Sequence, residues 1–575
     1  MGVAPSPSLG RAAKVAVGDY GTRVAHERVD RGSRDGDRQE RVDPPESILE
    51  LIATDRRSWH TKFRLAKHCC AERNMLLACR YLQRSTTVAS YDLLIKNVRA
   101  VRPDTDEVVD ADIAILNGRI ARVSPDLDPA DAREIHDGAG KLAFPGAVDA
   151  HQHWGIYNPL DIDTGTESRA AAQGGVTTGL TYIRTGQYYL NRGGPYAEFF
   201  PEVRAQSDGR AYVDYGFHVA PMMKSHLDEI ESLVLDHGVS SFKIFMFYGS
   251  HGLHGRSDDQ SSFLMTPPGE RYDYAHFEFV MRAIQATREA HPQLADRISL
   301  SLHCETAEIM AAYTKIIEDE GAQGLEAYHR SRPPHSEGLA ITIASYLAHE
   351  TELANINLLH LSSAKALDAA LRMQQVFPQI DFRREVTIGH LLTDITSGNL
   401  GAKVNPPIRP REDVEALWGH MAAGDIDWVV SDHACCRDEM KFDEDRDNIF
   451  LAKSGFGGAE YLLPGLVGEG TKRGVSLPEI ARLTSWNPAR RYGLGTKGTI
   501  DVDYDADIAL VDPTRSFVVR AEDSESTQEY SALEGVEIGA TVTDVFLRGN
   551  HIVNAGTVTG QPLGRFQHRP TELEA

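Results

Sequence analysis

The sequence has few cysteines, no long apolar run and no excess of positive charge, and each shortage excludes a class of protein. Its six cysteines among 575 residues form two adjacent pairs, with Cys79 and Cys304 alone, a pattern unlike a disulfide framework and typical of a reducing cytoplasm. No apolar run reaches the roughly 18 residues that cross a bilayer, and the N-terminus lacks the layout of a signal peptide. The net charge of -23 argues against nucleic acid and anionic membranes as partners. We therefore expect a cytoplasmic protein that acts on a small molecule.

Residues 1–90 differ in composition from the rest of the chain. They contain 16 Lys and Arg against 11 Asp and Glu, whereas residues 91–575 contain 44 against 72. The first part has little apolar surface to bury and is expected to be disordered. Apolar residues at helical spacing between Ser47 and Arg84 indicate one or two helices, which could serve as an interaction element. Alternatively, translation starts further in, near Met75.

Short strand patterns occur near both ends of the remaining chain. One set begins at Tyr91 and includes a hairpin around Asn117-Gly118. A second set follows at 506–511, 516–519 and 542–550. We expect residues 91–145 and 491–575 to form one β-sandwich, with a larger domain inserted between them.

The middle region, residues 146–490, alternates apolar strands with amphipathic helices. One strand at 298–302 precedes a helix over 307–320, and another at 356–359 precedes a helix over 364–376. Repeated units of this kind close most easily into a parallel (β/α)8 barrel of the TIM type. A flat doubly wound sheet is the competing α/β architecture, but no Gly-x-Gly-x-x-Gly turn follows a first strand.

Several apolar runs of the middle region end in a residue that can bind metal ions. Side chains alternate along a strand, so His151 and His153 lie on one face and can reach one metal. Each histidine or acid alone could equally be a hydrogen-bonded core residue or, for the acid, a helix cap. Together at successive strand ends they predict a two-metal hydrolytic centre. The predicted ligands are His151, His153, Lys243, His303, His360 and Asp432.

Lys243 lies within Val239–Tyr248, an apolar and aromatic run where an ammonium group would be buried. A buried charge must be neutralised, paired or modified. An ion pair with a core carboxylate is the ordinary solution. In a metal centre, a neutral lysine amine can instead add carbon dioxide and become a carbamate, whose two oxygens bridge two cations.

Tyr248 lies five residues beyond Lys243, with the opposite strand parity. It is therefore expected on the loop after the strand, where its phenol could donate a hydrogen bond to an oxyanion. Packing is the alternative role for this tyrosine. His251, His254 and His433 are left unassigned.

The motifs together resemble the cyclic amidohydrolases, above all the dihydropyrimidinase and hydantoinase group, with dihydroorotases and allantoinases close by. The likeness extends from Tyr91 to about Gly560. Its motifs are Phe144-Pro145-Gly146, Asp149-Ala150-His151-Gln152-His153, Ser241-Phe242-Lys243, Leu302-His303-Cys304-Glu305, Leu359-His360-Leu361-Ser362, Asn405-Pro406-Pro407, Ser431-Asp432-His433, Asn487-Pro488-Ala489-Arg490 and Asp505-Ala506-Asp507-Ile508-Ala509.

The resemblance implies a TIM-type barrel, two divalent metal ions that are usually zinc, and carbamylation of Lys243. It also implies a homo-oligomer, a tetramer or a dimer. Asp432 would be both a metal ligand and the catalytic acid and base, and Tyr248 would stabilise the oxyanion. Tyr248, Asn405 and Ser454 correspond to positions that contact the cyclic amide substrate.

The resemblance leaves the ring that is hydrolysed open. Dihydroorotases carry an arginine two residues after the second histidine, where this chain has Gly155, so dihydroorotate is disfavoured. The sequences around His303 and Asn405 are nevertheless similar to those of dihydroorotases. Ser454 replaces an asparagine that the family often has before its Gly-rich turn. A dihydropyrimidinase or hydantoinase activity is the primary expectation, and an allantoinase or dihydroorotase-like activity is the alternative. A non-catalytic scaffold with this fold is less consistent with the complete ligand set.

Removal of residues 1–90 tests the prediction for the extension. Because every expected ligand follows Tyr91, we expect the truncated chain to fold and to keep its hydrolytic turnover, measured by circular dichroism and by a ring-opening assay. Loss of turnover in a truncated chain that still folds would contradict this expectation.

Overall fold

A computed structural model describes residues 90–249, 252, 260–442 and 445–570. Residues 1–89 of the predicted extension, and the loop histidines His251 and His254, lie outside the described residues. Of the six cysteines, Cys304, Cys435 and Cys436 are described, and all three are buried and free of disulfide bonds.

Strands from both ends of the described chain form one nine-stranded mixed sheet. Its N-terminal members are β1 (Tyr91–Arg102), β2 (Glu107–Leu116), β3 (Arg119–Ser124), β4 (Ala132–Asp137) and β5 (Leu142–Pro145). The strand β5 pairs antiparallel with a strand near the other end of the chain, with Ala143 opposite Leu510. This pairing confirms that the two ends build one β domain.

The barrel consists of eight consecutive parallel strands. They are β6 (Ala147–Gln152), β7 (Val176–Arg184), β8 (Asp214–Ala220), β9 (Ser241–Phe245), β10 (Ser299–His303), β11 (Asn355–Leu358), β12 (Asp381–Thr387) and β13 (Trp428–Val430). A parallel bridge between Gln152 and His433, just beyond β13, brings the first and last strands together. The predicted TIM-type barrel is therefore confirmed.

The remaining strands follow the barrel. They are β14 (Ile508–Asp512), β15 (Phe517–Val518), β16 (Glu537–Ile538), β17 (Thr541–Leu547), β18 (Asn550–Asn554) and β19 (Thr557–Val558). The short strands β15 and β16 pair only with each other, and the other four complete the mixed sheet.

Helices alternate with the barrel strands and cover them. Their bounds are Leu160–Gln173, Tyr196–Ser207, Ile230–Leu235, Gln260–Leu264, Tyr274–Ala290, Ala307–Asp319, Gly324–Ser331, Pro334–Glu350, Ala364–Val376, Ile388–Leu392, Arg411–Ala422, Asp438–Lys441, Leu462–Gly465, Leu477–Ala481 and Asn487–Arg491. None of these helices combines the length and the apolarity that crossing a bilayer requires.

The helix Tyr274–Ala290 illustrates how the sequence specifies these elements. Asp273 precedes it, and its carboxylate accepts hydrogen bonds from the backbone N–H groups of Ala275 and His276, which satisfies donors that a helix start leaves unpaired. Phe277, Val280, Met281 and Ile284 recur at helical spacing and are all buried. This apolar stripe faces the core and fixes the orientation of the helix.

A buried lysine joins the barrel to the mixed sheet. The Lys497 ammonium lies 2.8 Å from Asp214 Oδ2 on β8 and 2.6 Å from Asp507 Oδ2 next to β14. Burial alone would lower the pKa of Lys497, but the carboxylates of Asp214 and Asp507 raise it. The lysine is therefore charged and holds two buried acids that would otherwise repel each other.

Replacement of Lys497 by methionine should destabilise the fold by about 3–5 kcal/mol, because it leaves the buried Asp507 carboxylate without its cation, while Asp214 keeps Arg548. The measurement is the thermal unfolding midpoint by differential scanning calorimetry. Lys472→Met, at an exposed lysine, is the matched control and should leave the midpoint close to that of the parent. Equal midpoints for both variants would refute the role given to Lys497.

Candidate metal centre

Five of the six predicted ligands lie near or just beyond the carboxyl ends of barrel strands, and Lys243 lies at the middle of its strand. His151 is in β6, Lys243 is in β9 and His303 ends β10. His153, His360 and Asp432 follow β6, β11 and β13. Because parallel strands end at the same rim, residues far apart in sequence meet at one place.

His151, His153, Lys243 and Asp432 form the inner group. His151 Nε2 lies 3.1 Å from His153 Nε2 and 3.0 Å from Lys243 Nζ. Asp432 Oδ1 lies 3.2 Å from His151 Nε2 and 3.1 Å from His153 Nε2. Four donor atoms therefore converge on one buried point.

His303 and His360 form the second pair, beside the inner group. Their ring centroids are 4.3 Å apart, and the ring of His360 is centred 5.4 Å from that of His151. The Nδ1 atom of His360 is buried and has no hydrogen-bond partner within the part of the chain that the structure describes. A ring nitrogen of this kind is available as a metal ligand.

The backbone is held in an unfavourable conformation at two of the six ligands. His360 has a φ of 35° and Asp432 a φ of 53°, both in the left-handed region that residues other than glycine rarely adopt. Strain of this kind persists at functional sites when the surrounding structure fixes it. Here it turns both side chains towards the centre at the point where their strands end.

Burial sets the protonation of the donors. It lowers the pKa values of His151, His153 and His360 well below their usual range, and also lowers that of His303, although Glu305 opposes the change. Burial also lowers the pKa of Lys243 to about 7. The imidazoles are therefore neutral at physiological pH, and each can offer a lone pair.

Two carboxylates, those of Glu385 and Glu305, hold two of the imidazoles from outside. Glu385, in β12, lies 2.7 Å from His151 Nδ1 and accepts hydrogen bonds from the His360 backbone N–H at 3.2 Å and from Trp428 Nε1 at 2.9 Å. Glu305 lies 2.7 Å from His303 Nε2. Such contacts fix the orientation of ligand rings. The sequence analysis missed Glu385; a buried acid in a barrel strand is the signal that could have found it.

Asp149 and His433 position Asp432 without joining the ligand set. Asp149 accepts hydrogen bonds from the Ser431 backbone N–H at 3.0 Å and from Gln152 Nε2 at 2.7 Å. His433 lies 2.9 Å from Glu167 through Nε2, and its Nδ1 accepts from the backbone N–H of Gly458. Both ring nitrogens of His433 are used, so this previously unassigned histidine is structural.

The predicted substrate residues lie in two places. Asn405 and Ser454 line a small cavity of about 40 Å³ together with His153, Lys243, His303, His360 and Asp432. Tyr248 follows β9 in a short 3-10 helix, as expected from its parity. Its ring stacks on Phe245, which lines the cavity, and its buried hydroxyl has no hydrogen-bond partner among the described residues.

Three other clusters of potential ligands within the described ranges are already satisfied by the protein. Lys141 Nζ lies 3.2 Å from Asp544, which also pairs with His551. Lys497 neutralises the group around Asp214, and Glu167 is hydrogen-bonded to His433, Ser526 and Thr527. The clusters are His136 with Asp544 and His551, Asp163 with Glu167 and Cys435, and Asp214 with Asp505 and Asp507.

The inner group fits a divalent transition metal. Ligand atoms around one tetrahedral zinc ion lie about 3.3 Å apart, because bonds from zinc to nitrogen or oxygen are about 2.0–2.1 Å long. The separations of 3.0–3.2 Å around His151 Nε2 and Asp432 Oδ1 are close to this value. Neutral imidazole with carboxylate is also a ligand set that zinc prefers.

Glu385→Gln should weaken metal binding by roughly 10- to 100-fold, because it replaces the carboxyl group that contacts His151 Nδ1 and fixes the orientation of this ring. Competition with a chromogenic chelator measures the affinity for Zn²⁺. Glu278→Gln, on an exposed helix position paired with Arg282, is the control and should bind as the parent does. Parent-like affinity in Glu385→Gln would show that the contact has no such function.

Comparison with known proteins agrees with this geometry. Residues 275–552 match the model of the amidohydrolase family. An allantoinase of Rubrobacter xylanophilus is 33% identical over 492 residues, which cover 83% of this chain and 98% of the relative. A D-hydantoinase structure superposes with a TM-score of 0.72 at 26% identity. The aligned region covers 84% of this chain and 99% of the D-hydantoinase chain. Dihydropyrimidinase from Brevibacillus agri gives a TM-score of 0.71 at 25% identity, with 83% and 98% covered. The chain belongs to the amidohydrolase family.

Proposed function

We propose that this protein hydrolyses the C–N bond of a cyclic amide or imide and so opens the ring. The observation that carries the proposal is the convergence of His151, His153, Lys243 and Asp432 on one buried point, with His303 and His360 beside it. Relatives named allantoinase, D-hydantoinase and dihydropyrimidinase support the same reaction class.

The cofactor proposed is a pair of Zn²⁺ ions. His151, His153 and Asp432 would hold one ion, and His303 and His360 the other. Bound here, divalent ions supply a nucleophile at neutral pH by acidifying water, and they polarise a carbonyl oxygen. Both effects are what hydrolysis of an unreactive amide requires.

Lys243 is proposed to carry a carbamate. Its nitrogen lies 3.0 Å from His151 Nε2, and its charged form would repel bound cations at that distance. Burial already favours the neutral amine, which is the form that adds carbon dioxide. The product is an anion with two oxygens, able to bridge both ion positions.

Asp432 is proposed as the catalytic acid and base. It would accept a proton from the attacking water and deliver it to the ring nitrogen as the C–N bond breaks. Water thus adds its oxygen to the carbonyl carbon and its protons to the departing nitrogen and the medium. The Asp432 side chain is 10% exposed, so it lies at the border between the buried ligands and the cavity.

Tyr248, Asn405 and Ser454 are proposed to bind the substrate. The unpartnered Tyr248 hydroxyl would donate to the oxyanion that forms on the carbonyl. Asn405 and Ser454 line the same cavity as the imidazoles and would orient the ring through their backbone.

The apolar lining of the cavity suits a small ring. The cavity has apolar walls, which suit the faces of a substrate ring; they are formed by Ile156, Phe245, Phe247 and Val404. The amide edge of the ring would then face the imidazoles and Asp432. At Gly155, φ is 80° and an added Cβ would lie 3.0 Å from Leu160, so an arginine for the dihydroorotate carboxylate has no equivalent there. Hydantoins, including allantoin, are the first substrates to test, followed by dihydropyrimidines.

Ring opening can be followed in the ultraviolet with hydantoin, dihydrouracil, allantoin and dihydroorotate. The parent protein should contain two zinc equivalents by elemental analysis and should open at least one of the first three rings, but not dihydroorotate. Chelation should abolish turnover, and added Zn²⁺ should restore it, because the ligands bind the ions only reversibly.

Two equivalents of zinc without turnover on any of the four rings would refute the reaction class. Turnover that persists after complete removal of the metal would refute the metal centre. Asp432→Asn should lose turnover in the same assay, whereas a conservative change at exposed Glu278 should not.

The protein is proposed to be cytoplasmic and to form a homo-oligomer, either a tetramer or a dimer. The resemblance to the hydantoinase group supports the oligomer, and the cysteines present as buried thiols support a reducing compartment. Light scattering of the purified protein distinguishes the two oligomers from a monomer.

A further inference from the structure

The imidazoles of the metal centre do not all have the same kind of outer partner. His151 and His303 each contact a carboxylate at 2.7 Å, from Glu385 and Glu305. His153 instead contacts a phenol: Tyr189 Oη lies 2.5 Å from its Nδ1. Tyr189 is 2% exposed and lines the same cavity as the ligands. No motif in the sequence pointed to this tyrosine.

The loop that presents Tyr189 has an unfavourable backbone on both sides of it. Tyr188, Leu190 and Asn191 have φ values of 71°, 52° and 48°, a region that side chains with a Cβ rarely adopt. Such a run persists only when surrounding contacts fix it, and it is found where function depends on it. The backbone N–H of Gly186 donates to Arg192 at 2.7 Å and closes the loop at its base.

A buried cation packs behind the tyrosine. The guanidinium carbon of Arg184 lies 4.8 Å from the centre of the Tyr189 ring and 4.7 Å from that of Phe263. Arg184 is fully buried and forms no ion pair with any carboxylate of the described residues; only its Nη1 has a hydrogen-bond partner, the Thr185 carbonyl. Burial of an unpaired charge is costly. The surrounding aromatic rings stabilise this guanidinium, and its contact with the Tyr189 ring restricts the movement of that ring.

We propose that Tyr189 is the positioning residue of His153, held over the metal centre by the strained loop 185–191 and by Arg184. His153 Nε2 lies 3.1 Å from Asp432 Oδ1. With the proposed ion held between these two atoms, Nε2 offers its lone pair, and Nδ1 carries the proton and donates it to the phenol oxygen. This contact selects the tautomer whose Nε2 lone pair faces the ion position. The inference rests on the proposed metal centre and adds to it a residue outside the ligand set.

Tyr189→Phe tests the proposal, because it keeps the ring and removes only the hydroxyl. Zn²⁺ affinity is measured on the full chain by chelator competition, and the visible absorption of the Co²⁺-loaded protein reports the ligand geometry. We expect a loss of Zn²⁺ affinity of roughly 10- to 100-fold and an altered Co²⁺ spectrum. The unfolding midpoint of the metal-free variant should match that of the metal-free parent, which distinguishes positioning from a general loss of packing.

Tyr188→Phe is the matched control, since it makes the same change one residue away in the same loop, where the ring faces Tyr157. It should leave both metal readouts unchanged. Parent-like affinity and spectrum in Tyr189→Phe, with a parent that binds zinc, would overturn this inference and leave the proposed reaction intact. A parent that binds no zinc would overturn the metal centre and the inference with it.

Discussion

Five nitrogen donors and one carboxylate share a single buried space, and the structure of the site follows from the need to make that arrangement stable. An apolar core does not tolerate such a group, because each unpaired polar atom carries a desolvation cost. Burial lowers the pKa values of the imidazoles and of Lys243. The result is an inner group of donors with a pair of imidazoles beside it, whose neutral lone pairs a cation would stabilise.

The barrel makes this convergence possible, and the loops complete it. Parallel strands bring His151, Lys243 and His303 to one rim, where residues of different strands are neighbours although they lie far apart in sequence. Beyond the strands, backbone strain at His360 and Asp432 turns two further ligands inwards. Outer contacts from Glu385, Glu305 and Tyr189 then hold the rings. The regular part of the fold thus sets the position of the site, and its irregular part sets the geometry.

Sequence patterns predicted the parts of this arrangement that depend on local periodicity. The helix over 364–376 has the bounds expected for it, and His151, Lys243 and His303 lie in strands, as their apolar runs predict, although the strand ends differ from the predicted ends by one or two residues. The patterns did not reveal Glu385, since β12 reads Asp-Phe-Arg-Arg-Glu-Val-Thr and its charged residues obscure the strand. Nor did they reveal Tyr189 or the structural function of His433, because both depend on contacts between residues distant in the sequence. Tyr248 was placed on the correct loop, but its packing behind Phe245 is a tertiary property.

The most direct test of the central claim is anomalous diffraction at the zinc absorption edge from crystals grown with Zn²⁺. The account predicts two anomalous peaks, about 3.5–4 Å apart as in other two-metal sites, one beside His151, His153 and Asp432 and the other beside His303 and His360. Continuous density from Lys243 should lie between them. Peaks located elsewhere, or a single peak with an unmodified Lys243 that points away from the imidazoles, would contradict the account.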